Sequence, residues 1–151
     1  MTSWAELYGN SSSLQALIVF AHLGGMLVGG GFALAADRAT LRAANAHDRA
    51  RQLAELRATH RPVLVGLAVT LGSGLLMLAA DVGTYLGSVT FWVKMGLIVL
   101  LLANGYAVRS TRGMLEREPE RAWMRLRAAA AASFGLWLGV LLAGSWLTNA
   151  L

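Results

Sequence analysis

The chain has 151 residues, of which 56% are hydrophobic and only 14% are charged. Soluble domains carry about 25% charged residues, so this composition excludes an ordinary soluble protein. Cysteine is absent, which excludes disulfides, thiolate metal sites and cysteine nucleophiles. The net charge of +5 does not indicate nucleic-acid binding, because the arginines are concentrated in two short loops, as in an oriented membrane protein.

Four segments are long and apolar enough to cross a bilayer as helices, for which about 20 residues suffice. The predicted spans are about 14–36, 62–80, 91–108 and 128–149. The first has no preceding Lys or Arg and is too long for a signal peptide, so we interpret it as a retained helix. The sequence therefore predicts an all-α integral membrane four-helix bundle, with residues 1–151 forming one domain.

Arginines orient the predicted bundle. Six lie between the first two spans and six between the last two, whereas the N-terminal tail and the 81–88 turn contain no Lys or Arg. The positive-inside rule then predicts both termini outside and both arginine-rich loops in the cytoplasm. The composition is typical of a bacterial inner membrane protein. Ala46, Ala50, Leu53 and Leu56 recur at roughly helical spacing, which predicts a short amphipathic cytoplasmic helix between spans 1 and 2.

His22 is the most informative polar residue of the predicted spans, because polar groups inside a membrane need partners. It lies roughly 13 Å below the outer surface, and Gly25 and Gly29 follow on nearly the same helical face. One interpretation is close helix packing, with His22 hydrogen-bonded to a neighbouring helix. The other is that the glycines leave room for a flat cofactor, with His22 as an axial haem ligand.

Lys94 lies roughly 6 Å deep in the third span. Its side chain either extends to the outer interface without binding anything, or it lies where the propionates of a haem held by His22 would point. The soft side chains within reach of the outer half are Met26, Met77 and Met95, and pairing Met77 with His22 requires helix tilt. Asn104 is expected to form an interhelical hydrogen bond.

The remaining histidines, His47 and His60, match no compact metal-ligand spacing, and we interpret them as solvated or interfacial. No Ser/His/Asp set, phosphate loop or carboxylate pair is present in the sequence. Hydrolases and nucleotide enzymes are therefore disfavoured.

Three features occur in this order: a first-span histidine followed by small residues, a basic loop, and the third-span string FWVKMGLIVLLLANGY. Together they resemble the bacterial HemJ-type protoporphyrinogen oxidases. The same region resembles the CopD-type copper-resistance membrane domain. The HemJ-type resemblance implies that His22 ligates haem b and that Lys94 belongs to the same site. That family usually has a histidine shortly after the tyrosine ending span three, whereas Tyr106 is followed here by Ala107. A haem-binding relative with a different activity is therefore expected.

The predicted function is that of a b-type haem membrane protein with a redox role, either electron transfer or oxidation of a porphyrin-like or quinol substrate. One alternative is a cofactor-free structural or assembly subunit, docking through Gly25/Gly29 and Gly135/Gly139. Another is a CopD-like copper- or ion-handling protein that uses His22 with Met26 or Met77, because soft ligands favour Cu(I). The expected partners are the lipid bilayer and either further copies of the chain or a larger membrane complex; nucleic acid is not expected.

Overall fold

The computed structural model describes residues 3–112, 114 and 117–150, and every regular element in these residues is a helix. In chain order the helices are α1 (Trp4–Asn10), α2 (Ser12–Arg42), α3 (Ala46–Ala80), α4 (Val82–Gly87), α5 (Val89–Arg112) and α6 (Pro119–Ala150). Four of them, α2, α3, α5 and α6, are long and apolar enough to cross a membrane. The predicted all-α fold is confirmed, as is the presence of four helices long and apolar enough to cross a membrane.

Three of the four long helices exceed the thickness of a bilayer core by about half or more. Helices α2, α3 and α6 have 31, 35 and 32 residues, or about 46, 52 and 48 Å at 1.5 Å per residue. A hydrocarbon core is about 30 Å thick. The excess lies mainly where α2 and α5 end and α3 and α6 begin, which we call the arginine-rich end. The opposite end, with α1 and α4, is the terminal end; which side of the membrane each end faces stays a prediction.

The structure corrects the prediction of a separate short helix between spans 1 and 2. Residues 46–61 are helical, but they form the first turns of α3, which continues through Pro62 to Ala80. Asn45 caps this helix by accepting a hydrogen bond from the backbone N–H of Asp48 (2.9 Å). The segment is held by Gln52, whose amide donates to the Ala36 carbonyl (2.9 Å) and the Thr40 hydroxyl (3.1 Å) of α2. Its inner face therefore packs on protein.

Helices α2 and α6 form the centre of the bundle. Helix α2 contacts α3 on one side and α6 on the other, and α6 also contacts α5. In the described part of the chain, the backbones of α3 and α5 nowhere approach within 8 Å between Cα atoms. The bundle is therefore not closed by a contact between α3 and α5.

Glycines allow α2 to contact both of its neighbours closely. A Cβ on Gly66 of α3 would meet the backbone nitrogen of Gly29 and would lie 2.7 Å from the Gly25 carbonyl oxygen. On another face of α2, a Cβ on Gly30 would lie 3.2 Å from the Trp137 ring of α6. Only small residues fit at such a crossing, so the glycines set the spacing of three helices.

A buried core joins the four long helices at the arginine-rich end. Ala43, Trp123 and Leu126 are buried together, and Leu53 of α3 and Val108 of α5 pack against them. The Arg49 guanidinium lies 5.4 Å from the Trp123 ring centroid, a cation–π arrangement.

The terminal end is held by side chains that bond to helix carbonyls. The Trp4 indole nitrogen donates to the Leu76 carbonyl of α3 (2.9 Å), and the Gln15 amide donates to the Tyr8 carbonyl (2.9 Å). These bonds fix α1 across the ends of α2 and α3.

Candidate functional site

His22 of α2 is hydrogen-bonded to α3 in the interior of the bundle. Its imidazole Nδ1 lies 3.1 Å from the Ser73 hydroxyl oxygen. That hydroxyl also lies 2.6 Å from the Val69 carbonyl oxygen. Ser73 is 6% exposed, so the contact between the two residues is shielded.

The contact with Ser73 leaves the other ring nitrogen of His22 without a partner. The Ser73 oxygen lies within hydrogen-bond distance of His22 Nδ1 and of the Val69 and Thr70 carbonyl oxygens (2.6 and 3.1 Å). A serine hydroxyl has one hydrogen, and when it donates that hydrogen to one of the carbonyls its oxygen accepts from Nδ1–H. Nε2 has no hydrogen-bond partner among the described residues. An imidazole with Nδ1–H fixed by a neighbouring acceptor and Nε2 free is the form that binds metals.

Two small residues of α3 lie against His22. A Cβ on Gly74 would lie 3.2 Å from His22 Cε1 and 3.6 Å from Nδ1, so a larger residue there would displace the ring. One turn earlier, the Thr70 hydroxyl donates to the Gly66 carbonyl (2.9 Å) and lies 3.5 Å from the His22 backbone carbonyl oxygen. Gly74 thus leaves room for the imidazole, and Thr70 contacts the backbone of His22.

Gly25 and Gly29 contact α3 and do not face open space. A Cβ on Gly25 would lie 2.6 Å from the Thr70 hydroxyl, and one on Gly29 would lie 3.2 Å from the Gly66 carbonyl carbon. This is the close helix packing that the sequence left open as one of two interpretations. In this arrangement, α3 fills the space that the other interpretation assigned to a cofactor ring at these two glycines.

Lys94 of α5 lies in the same half of the bundle as His22. Its half-buried side chain runs along α6, with Nζ 3.6 Å from a Cβ built on Gly144. It forms no hydrogen bond or ion pair with the residues that the structure describes. A cation without a counter-ion inside a bundle is a candidate functional group.

The other residues singled out from the sequence occupy different positions. Met77 is half-buried one turn beyond Ser73 on α3, which places it on the face that meets α2. The predicted interhelical bond of Asn104 is confirmed, because its amide donates to the Ala129 carbonyl of α6 (2.9 Å). His47 and His60 are exposed.

No group of three or more His, Cys, Asp or Glu side chains is arranged to hold a metal within the described ranges. Of the second predicted docking pair, a Cβ on Gly139 would meet Leu97 of α5 at 3.5 Å, whereas one on Gly135 would meet nothing within 4 Å. Gly139 therefore packs against α5 within the bundle.

Four residues of α3 belong to the site although sequence reasoning assigned none of them to it: Gly66, Thr70, Ser73 and Gly74. Their signal is a run of small residues on α3, in which Gly66, Thr70 and Gly74 recur every fourth residue with Ser73 beside them. Such spacing indicates a close helix contact. The spacing does not identify which helix makes the contact, because that depends on which helices are neighbours in the bundle.

No family model, curated protein or solved structure matches this chain. The resemblance to HemJ-type oxidases and to the CopD-type domain therefore stays a prediction based on the residues that carry it.

Proposed function

We propose that the protein binds one b-type haem through His22 Nε2 and has a redox role in the membrane, either electron transfer or oxidation of a porphyrin-like or quinol substrate. The observation that carries the proposal is the contact of His22 Nδ1 with the Ser73 hydroxyl (3.1 Å), which leaves Nε2 without a partner among the described residues. An acceptor on Nδ1 orients a ligating imidazole and makes its other nitrogen a better ligand. Packing alone does not require this arrangement.

The donor groups present fit a haem, but Gly25 and Gly29 do not offer it space. His22 would hold the group through its free nitrogen, and Lys94 would supply a cation for a carboxylate of the group. Met77 is a soft side chain one turn from Ser73 on α3. The contact of Gly25 and Gly29 with Gly66 would not be part of the binding site. When bound, the haem would supply a one-electron couple at iron, while the surrounding apolar helices exclude water.

The second candidate is a cofactor-free structural or assembly subunit, favoured by the packing of Gly25 and Gly29 on Gly66. In that case, the hydrogen bond from His22 to Ser73 only joins α2 to α3, as polar side chains do in membrane bundles. The apolar side chains exposed on the bundle, such as Phe20 (74% exposed) and Leu27 (76%), would then contact partner helices as well as lipid.

A reduced-minus-oxidised absorption spectrum separates the two candidates. Protein purified in detergent from haem-replete cells is compared with His22→Ala and with His60→Ala. The control removes an exposed histidine of α3 at the opposite end of the bundle. We expect a b-type signal in the wild type and in His60→Ala and its loss in His22→Ala.

The other possible results contradict the haem proposal in distinct ways. A featureless spectrum in all three proteins, without bound metal, would favour the structural subunit. Stoichiometric copper without porphyrin would favour a copper-handling protein in which His22 acts with Met26 or Met77. A b-type signal unchanged in His22→Ala would mean that the iron has a different ligand.

A further inference from the structure

A cavity of about 540 Å³ lies between α2 and α3 at the arginine-rich end, remote from His22. The α2 wall carries Arg38 and Arg42, and the α3 side carries Asp48, Arg51 and Glu55. Gln52 and three alanines complete the lining, and the short alanine side chains leave the volume open. Such a basic recess between two membrane helices is typical of sites that hold lipid headgroups.

The charges of this cavity are only partly paired with one another. Arg51 forms an ion pair with Glu55 (3.1 Å). Arg38 and Arg42 are exposed, and neither they nor Asp48 form an ion pair with another described residue. Two arginines and one carboxylate are therefore available to a ligand.

The position of the arginines along α2 matches the depth of lipid phosphates. Arg38 follows the end of the apolar run at Ala36 by two residues, and the helix continues to Arg42 one turn further. In the lining of the cavity, Gln52 donates to the Ala36 carbonyl and the Thr40 hydroxyl, which fixes α3 against α2. The two arginines thus lie on a rigid wall where an apolar helix leaves the hydrocarbon region.

We propose that this cavity binds the headgroup of a membrane phospholipid, with the phosphate held by Arg38 and Arg42. Guanidinium groups bind phosphate oxygens by paired, charge-assisted hydrogen bonds. Asp48 then accepts a hydrogen bond from a hydroxyl or ammonium group of the headgroup. A bare phosphate would gain nothing from this carboxylate and would be repelled by it, which favours a lipid over the free ion.

The chain offers a matched control for the test. Arg57 and Arg61 of α3 are also exposed and also four residues apart, but they do not line the cavity. Native mass spectrometry would measure the affinity of purified protein in detergent for phosphatidylglycerol. We expect the double substitution Arg38→Gln and Arg42→Gln to weaken binding about tenfold or more. The same change at Arg57 and Arg61 should weaken it less than twofold.

Two further measurements keep the test decisive. Ala39→Leu narrows the cavity without changing its charge and should also weaken lipid binding, while thermal melting verifies that each variant is folded. Inorganic phosphate at the same concentration should not displace the lipid. Equal losses in the two arginine pairs, displacement by inorganic phosphate, or the absence of saturable lipid binding would each overturn the proposal.

Discussion

The two ends of the bundle are built in different ways. At the arginine-rich end, residues of all four long helices bury a common core, and Trp123 and Leu126 are each 2% exposed. In the half that contains His22, polar side chains of α2 and α3 bond to each other, and Lys94 lies nearby without a counter-ion among the described residues. We infer that the first region supplies stability, and that the second keeps groups available for a ligand. Substitutions in each region test this division.

The largest effect on stability is expected from Trp123→Ala. Truncating a buried tryptophan removes its packing and leaves a cavity, which costs about 3–5 kcal/mol. The melting temperature measured by circular dichroism in detergent should fall strongly. Trp146→Ala is the control, because that side chain is 66% exposed and its truncation should have little effect. Similar melting temperatures for the two variants would contradict a stabilising core at this end.

The next largest effect is expected from Gly66→Ala. The added methyl group would collide with the backbone of Gly29, and such overpacking costs about 1–3 kcal/mol. Gly72→Ala is a control on the same helix, because a Cβ there meets nothing within 4 Å. Thermal melting should show a loss for the first variant only. If both alanines were tolerated equally, α2 and α3 would not be in close contact at Gly66.

Ser73→Ala is expected to affect ligand binding more than stability. Removing the hydroxyl that contacts His22 Nδ1 costs about 1 kcal/mol of stability, whereas loss of such a partner of a metal ligand typically lowers metal affinity about 10- to 100-fold. Haem content at limiting haem supply and thermal melting should be measured on the same sample. Ser110→Ala, at an exposed serine of α5, is the control. Unchanged haem retention in Ser73→Ala would contradict the orienting role of Ser73.

The smallest effect is expected from Glu120→Gln. Arg49 and Glu120 form an ion pair at 2.6 Å, but the Glu120 side chain is 77% exposed. Exposed pairs contribute about 0–1 kcal/mol and are screened by salt. The melting temperature should fall slightly at low ionic strength and by even less at high salt. A large, salt-independent loss would mean that Glu120 is needed for the Trp123 core itself.

Much of the fold follows from the sequence, because a bilayer imposes a strong constraint. An apolar run as long as residues 14–36 has to be helical when no water can satisfy its backbone, and the structure places it within α2. The prediction that differs from the structure is the short helix expected between spans 1 and 2, at residues 46–61. Their periodicity correctly indicates a helix, but continuation into α3 depends on Gln52 contacting α2, a contact between residues distant in the chain.

The candidate site could be predicted only in part. His22 and Lys94 stand out because a polar group in a membrane needs a partner. The partner of His22 is Ser73, 51 positions away, and pattern alone does not pair two residues on different helices. Gly25 and Gly29 were compatible with both a packed helix and an open face. The arrangement of the helices distinguishes these two possibilities, because α3 packs against the side of α2 that carries both glycines.

We infer that His22 binds a haem and that its contact with Ser73 contributes only a little to the stability of the bundle. The most direct measurement determines the haem-to-protein ratio and the melting temperature of apo-protein for wild type and His22→Ala. We predict a ratio near one in the wild type and near zero in the variant, with apo-protein melting temperatures that differ by only a few degrees. Absence of haem from the wild type, or a variant that retains haem or loses its fold, would contradict the account.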